Sequence, residues 1–240
     1  NNTGYTVAAG SNQQTKSGST NITYTSTGGM SAVGTSFTMT WNKANQLATA
    51  AAFGTTNAYA YDAFGQRLTS KSGTANALVH QYGPDGMLIE TAGGSGLAVS
   101  DYVWLDGTPI AAIKPSTAAI YALHTDRLGT PQQGTDSAQA GVWSAGYAPF
   151  GATTPTGTIT VPLRFPGQFT TDTAPFYNNG LRPYYPAVPR YLQPDLIGLN
   201  GGGDTYAYAL QNPYRYVDPW GLETLPVSLG LPLTSGAYPF

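Results

Sequence analysis

A unit of roughly 20 residues recurs along the first half of the chain, and it limits the fold more than any other feature. Its copies include Phe37-Thr38-Met39-Thr40-Trp41-Asn42-Lys43-Ala44-Asn45-Gln46-Leu47 and Tyr59-Ala60-Tyr61-Asp62-Ala63-Phe64-Gly65-Gln66-Arg67-Leu68. His80-Gln81-Tyr82-Gly83-Pro84-Asp85-Gly86-Met87-Leu88-Ile89 and Asp101-Tyr102-Val103-Trp104-Leu105-Asp106-Gly107-Thr108-Pro109-Ile110 follow. Each copy reads as an alternating aromatic strand, a turn centred on Asp, Asn or Gly, and a second strand. Period-two alternation of aromatic and β-branched residues marks a half-buried strand. Asp or Asn opens the turn through its side-chain acceptor, and Gly takes the positive φ that follows. With 30 Gly and 18 Pro in 240 residues, no long helical pattern survives. The expected fold is all-β: an array of antiparallel hairpins forming a curved sheet or partial shell, capped by an irregular region.

Composition excludes several classes of function. Net charge is −2 and there is no basic stretch, so neither nucleic acid nor an anionic membrane is an expected partner. No apolar run approaches the roughly 20 residues of a spanning helix. Cysteine is absent, which rules out disulfides, zinc–thiolate sites and thiol nucleophiles. Only 9% of residues are charged, while 41% are hydrophobic, enough to build a core. Few charges and many small hydroxyl residues suit a secreted or cell-surface protein. The start at Asn1 without Met leads us to expect a processed or truncated product.

Four segments are expected: 1–36, a β or loose start that joins the sheet at Ile22-Thr23-Tyr24; 37–120, the hairpin array; 121–222, the cap; and 223–240, an extended tail. In the tail, Leu225-Pro226-Val227-Ser228-Leu229-Gly230-Leu231-Pro232-Leu233 is apolar and interrupted by proline, which prevents a helix and suits edge pairing.

Two Asp-centred motifs near the end carry the chemistry: Pro194-Asp195-Leu196-Ile197-Gly198-Leu199 and Val217-Asp218-Pro219-Trp220-Gly221-Leu222. Two carboxylates that approach closely share a proton, so one acts as acid while the other acts as base in peptide hydrolysis. The plainer reading is that both are turns, since Asp-Pro-x-Gly is turn chemistry by composition. Both readings stay open at this point.

The repeats and the ending together resemble the RHS (rearrangement hotspot) family, whose units are also called YD repeats. Tyr61-Asp62-Ala63-Phe64-Gly65-Gln66-Arg67-Leu68 is similar to one repeat unit. The ordered set from His124-Thr125-Asp126-Arg127-Leu128-Gly129-Thr130-Pro131 through Arg164-Phe165-Pro166-Gly167-Gln168 to Leu222 is similar to the RHS repeat-associated core. The resemblance implies a β-sheet wound into a hollow shell, with a core that acts as an aspartyl autoprotease and leaves a C-terminal toxin inside. Carried onto this chain, it implies a catalytic pair Asp195 and Asp218, an adjacent Arg182, and a cut between Leu222 and Glu223. No cofactor or metal is implied. Leu196 stands where the family usually has Pro, and Pro183-Tyr184-Tyr185 replaces its usual turn after the arginine. The repeats are fewer than a shell needs, and the residues after Leu222 are too few for a folded toxin. The partners implied are the missing remainder of a longer RHS shell, an effector at the C-terminus, or copies of the chain itself. The alternative function is therefore a structural one: self-assembly into an extracellular fibre or sheath, with the Asp motifs serving as turns.

The other candidates read as structural. His124 beside Asp126 lacks a third ligand and is expected to be a hydrogen-bonding residue of the cap, and His80 a strand residue. Tyr82, Tyr102, Trp104, Tyr121, Trp143, Tyr147, Tyr206 and Tyr208 suggest a sugar-binding strip, but cross-strand packing is the commoner role in hairpins. Gly201-Gly202-Gly203 lacks the Lys-Ser/Thr of a phosphate loop.

Overall fold

The computed structural model describes residues 4–227. Among them, 16 strands pair in sequence order into one antiparallel sheet, from Tyr5–Val7 at one edge to Thr156–Gly157 at the other. The first and last strands do not meet, so the sheet is open. Pairing begins at Tyr5–Val7 with Gln14–Ser17, ahead of the Ile22-Thr23-Tyr24 run at which the sequence expects the sheet to start. Tyr5, Thr6 and Val7 are all strand-favouring residues, enough to hold an edge strand despite the surrounding Gly and Ser.

One turn geometry recurs at several of the hairpins. Asp62 Oδ1 accepts from Phe64 N–H and Gln66 N–H, both at 2.9 Å, while Gly65 takes φ +84°. Asp126 does the same for Leu128 and Thr130 at 2.8 and 3.0 Å, with Gly129 at φ +86°. Asn42 accepts from Ala44 and Gln46 with Asn45 left-handed, and Asp136 from Ala138 and Ala140 with Gln139 left-handed. In each case the side-chain acceptor satisfies amides that the tight turn strands. Register shifts beside these turns, as between Thr40 and Trp41 or Ala60 and Tyr61, add twist and bend the strand pair.

The aromatic residue before each turn ties one unit to the previous one. Tyr61 Oη donates to Leu47 O at 2.9 Å, Tyr82 Oη to Arg67 O at 2.7 Å, and Trp104 Nε1 to Leu88 O at 2.9 Å. A phenol or indole thus spans to the carbonyl that opens the preceding second strand. This explains why the unit needs an amphipathic aromatic rather than Phe at that position.

After the sheet the chain folds back over one of its faces. A small sheet of Gln168–Phe169, Tyr177–Asn179, Arg182–Tyr185 and Arg190–Tyr191 forms there, followed by short 3-10 turns. Two apolar clusters join it to the array. One packs Met30, Met39, Leu47 and Ala50 against Phe176, Tyr185 and Leu192. The other packs Leu88, Tyr102, Leu123 and Trp143 against Val161, Leu163 and Phe169. A third cluster, of Phe165, Tyr177, Tyr184, Tyr191 and Tyr208, lies wholly within the folded-back segment. Polar latches accompany the packing: Ser70 Oγ meets Thr171 Oγ1 at 2.9 Å, and buried Arg67 faces Asp172 at 3.9 Å. Leu225–Pro226 pairs with Tyr216–Val217, so the start of the tail lies against its own chain. Residues 228–240, the rest of the expected tail, lie outside the described residues.

Candidate active site

The hairpin turn between Tyr177–Asn179 and Arg182–Tyr185 grips the second Asp motif by its backbone. Asn179 Nδ2 donates to Asp218 O at 2.6 Å, Leu181 N–H to Trp220 O at 3.0 Å, and Arg182 Nε to Gly221 O. Glycine makes the close approach possible: a Cβ on Gly180 or Gly167 would collide with the backbone of Trp220 or Pro219. Trp220 Nε1 donates to Asp85 O at 3.1 Å, anchoring the same segment to the repeat array.

The segment itself is a repeat-type turn moved into the interior. Asp218 Oδ1 accepts from Leu222 N–H at 2.9 Å, four residues on, and Gly221 takes φ +68°. This matches Asp62 with Gln66 and Gly65. Asp62 is half-buried, whereas Asp218 is only 1% exposed. The turn reading of this motif and its placement at a candidate site are therefore compatible: Oδ1 closes the turn and Oδ2 is left to face other groups.

Those groups are Arg182 and Tyr191. Arg182 Nη2 lies 3.2 Å from Asp218 Oδ2 and 2.8 Å from Asp195 Oδ2. The two carboxylate oxygens are therefore no further apart than the sum of those lengths, about 6 Å. Tyr191 Oη donates to Asp218 Oδ2 at 2.7 Å, and its ring lies 3.7 Å beneath the Arg182 guanidinium. Asp195 belongs to a turn of its own, with Oδ1 accepting from Ile197 N–H at 3.0 Å. Leu196, which follows it, is 52% exposed.

The Leu222 carbonyl completes the arrangement. The point a Cβ would occupy on Gly201 is no more than 3.2 Å from both Leu222 O and Asp195 Oδ2. Those two oxygens are thus separated by no more than about 6 Å. Leu222 is buried while Glu223 is exposed, so the bond between them sits where the chain leaves the interior.

Burial lifts both carboxyls above the ordinary carboxylate range. For Asp218, Arg182, Tyr191 and the Leu222 amide oppose the effect of burial and Asp195 adds to it. For Asp195, Arg182 and the Ile197 amide oppose burial and Glu223 adds to it. Two carboxylates and one guanidinium in a dry site favour a single shared proton.

All five residues singled out in the sequence are thus gathered within one region. Sequence reasoning missed Tyr191, Asn179 and Gly201. Nothing marks Tyr191 among 17 tyrosines, and the glycine run carries no sequence signal beyond its lack of a phosphate-loop pattern. His124 is exposed and pairs with Thr135 Oγ1 at 3.0 Å, and no cluster able to hold a metal occurs among the described residues. His80 is buried in strand Leu78–Tyr82 against Ser70. Tyr102, Trp143, Tyr206 and Tyr208 of the aromatic row are buried in packing.

A family model described as RHS protein matches residues 120–156. The chain is 43% identical over 111 residues to Double-stranded DNA deaminase toxin A of Burkholderia cenocepacia (strain H111), covering 44% of this chain and 8% of that protein. It is 39% identical over 106 residues to Toxin protein Tse5 of Pseudomonas aeruginosa, again 44% of this chain and 8% of the relative. It therefore spans less than a tenth of the length of either relative. Among solved structures, TcdB2-TccC3 matches with a TM-score of 0.64 at 19% identity, over 91% of this chain and 13% of that one. The Photorhabdus luminescens Tc holotoxin pore matches with a TM-score of 0.65 at 18% identity, over 90% and 11%. At such identity these two likenesses concern the fold.

Proposed function

This chain is an RHS-repeat protein, and on that premise we propose that it is the closing part of a secreted, toxin-carrying β-shell whose core cuts its own backbone between Leu222 and Glu223. The observation that carries the reading is the single Arg182 nitrogen at 2.8 and 3.2 Å from Asp195 and Asp218, with the Leu222 carbonyl beside Asp195.

In this mechanism Asp195 carries the shared proton, its Oδ2 lying within about 6 Å of Leu222 O. It protonates, and so polarises, the carbonyl as water adds to the Leu222 carbon. Asp218, which accepts from Arg182, Tyr191 and the Leu222 amide, is the ionised partner and takes a proton from that water. Collapse of the tetrahedral centre breaks the C–N bond. The proton held by Asp218 passes to the Glu223 nitrogen, and the proton lent to the oxygen returns to Asp195. The products are a Leu222 carboxylate and a Glu223 amine. Holding the segment at Asp218 O, Trp220 O and Gly221 O makes the reaction intramolecular, which offsets much of the entropic part of the barrier.

Intact mass of the chain after synthesis provides the test. Two fragments joining at Leu222–Glu223 are expected, and Asp218→Asn should give one uncut species. A wild-type chain that stays whole, or a cut that survives Asp218→Asn, would refute the dyad.

A second reading concerns assembly. The edge strand Tyr5–Val7 is exposed at all three residues, and Thr156–Gly157 at the opposite edge is exposed as well. Unpaired edges favour strand addition from the remainder of a longer shell or from another copy. Sedimentation that finds only monomer at high concentration would remove self-assembly into a fibre.

A further inference from the structure

We propose that Tyr191 is a positioning residue for the cut, its hydroxyl holding Asp218 as the ionised base so that the shared proton resides on Asp195. The inference rests on the self-scission reading and assigns the two carboxyls their roles within it. Tyr191 is wholly buried in the short strand Arg190–Tyr191, fixed by pairing with Tyr184–Tyr185 and by its backbone N–H, which donates to Tyr206 O at 2.9 Å. Among the described residues its hydroxyl donates to Asp218 Oδ2 at 2.7 Å, a length typical of a bond to a charged oxygen.

The asymmetry between the carboxyls follows from counting donors. Asp218 receives the Arg182 guanidinium, the Tyr191 hydroxyl and the Leu222 amide. Asp195 receives Arg182 and the Ile197 amide, and its Oδ2 lies within about 6 Å of the Leu222 carbonyl oxygen, a neighbour that rewards a proton rather than a charge. The groups facing Asp218 are Arg182, Asp195, Tyr191 and Tyr208. Burial and the Asp218 charge hold both phenols well above their ordinary value, so each stays protonated. Tyr191 is therefore a fixed donor that never takes the proton itself.

The test separates the hydroxyl from the ring. Tyr191→Phe keeps the surface beneath the guanidinium and removes only the donor. The rate of self-cutting is followed across pH in chain freshly made by cell-free synthesis. The ascending limb, which reports the base, should move up by about one to two pH units, the worth of one hydrogen bond to a charged group. Incorporating 3-fluorotyrosine at position 191 strengthens the donor and should move the limb to lower pH. Thermal melting of each chain provides the comparison, because a merely structural role would change stability and leave the limb in place. If Tyr191→Phe fails to fold, the fluorinated chain decides alone. A wild-type chain that cuts, with a limb unmoved by either change, overturns the role of Tyr191 and leaves the dyad standing. A wild-type chain that never cuts overturns both.

Discussion

Arg182→Met takes the cation out of a buried site that keeps two carboxylates. The arginine side chain is 1% exposed, and those of Asp195 and Asp218 are 5% and 2%. With their facing oxygens at most about 6 Å apart and an effective dielectric near 20, two full negative charges would repel by about 3 kcal/mol. That corresponds to roughly two pKa units, added to a shift that burial has already raised. Breaking a buried ion pair by removing one partner costs about 3–5 kcal/mol. Met fills much of the stem's volume, so little of the loss comes from a cavity. The expected result in urea unfolding is a destabilisation of about 3–5 kcal/mol at pH 8 that shrinks markedly by pH 5. The sign follows from the direction of the shifts. A carboxyl whose folded pKa lies above its unfolded value binds more protons folded than unfolded. Its stabilising contribution is complete below the ordinary carboxylate value and is lost as pH rises through the folded one. Intact mass establishes which chains are cut before each melt. A loss of stability equal at both pH values, or larger at pH 5, would refute the view that Arg182 balances this pair.

Gly201→Ala sets a methyl that must displace the Asp195 carboxylate beside the Leu222 carbonyl, and should slow self-cutting by about two orders of magnitude or more. Intact mass against time reads the rate, and an unchanged rate would mean that this approach does not matter. His80, buried against Ser70 and Phe169, has its pKa pushed down to about 3 by burial and then by Arg67. Its unfolded form takes a proton near pH 6.5 and its folded form does not, so acidification to pH 4 should cost about 3 kcal/mol. His80→Leu should flatten the urea-derived stability profile between those values; a slope that persists would assign the acid sensitivity elsewhere. Tyr82→Phe removes the donor to Arg67 O that couples two repeats, and should lower stability by about 1 kcal/mol in the same assay without altering cutting.

The repeat array was legible before any coordinates because its signals are local. The acceptor of Asp62 reaches amides two and four residues away, and Gly65 supplies the positive φ within the same turn. Turn chemistry of that kind works wherever the segment lies. Asp218 uses it too, which is why the sequence alone allowed the motif to be read as a turn. The roles proposed for Asp195, Asp218 and Arg182 rest on the resemblance, since spacing along the chain gives no distance between them.

Alternating aromatics, Asp-centred turns and the density of Gly and Pro were enough to determine a hairpin meander. Each hairpin closes over a few residues, so little loop entropy opposes it and no distant partner is needed. What tertiary structure alone decided is the meeting of Arg182, Tyr191, Asp195, Gly201 and Leu222 around Asp218. The longest of those contacts join groups 27 to 39 residues apart, as Tyr191 with Asp218 and Arg182 with Gly221, and exist only because the folded-back segment is packed against the sheet. Only the folded chain removes water from the two carboxylates, and desolvation makes a proton worth sharing between them.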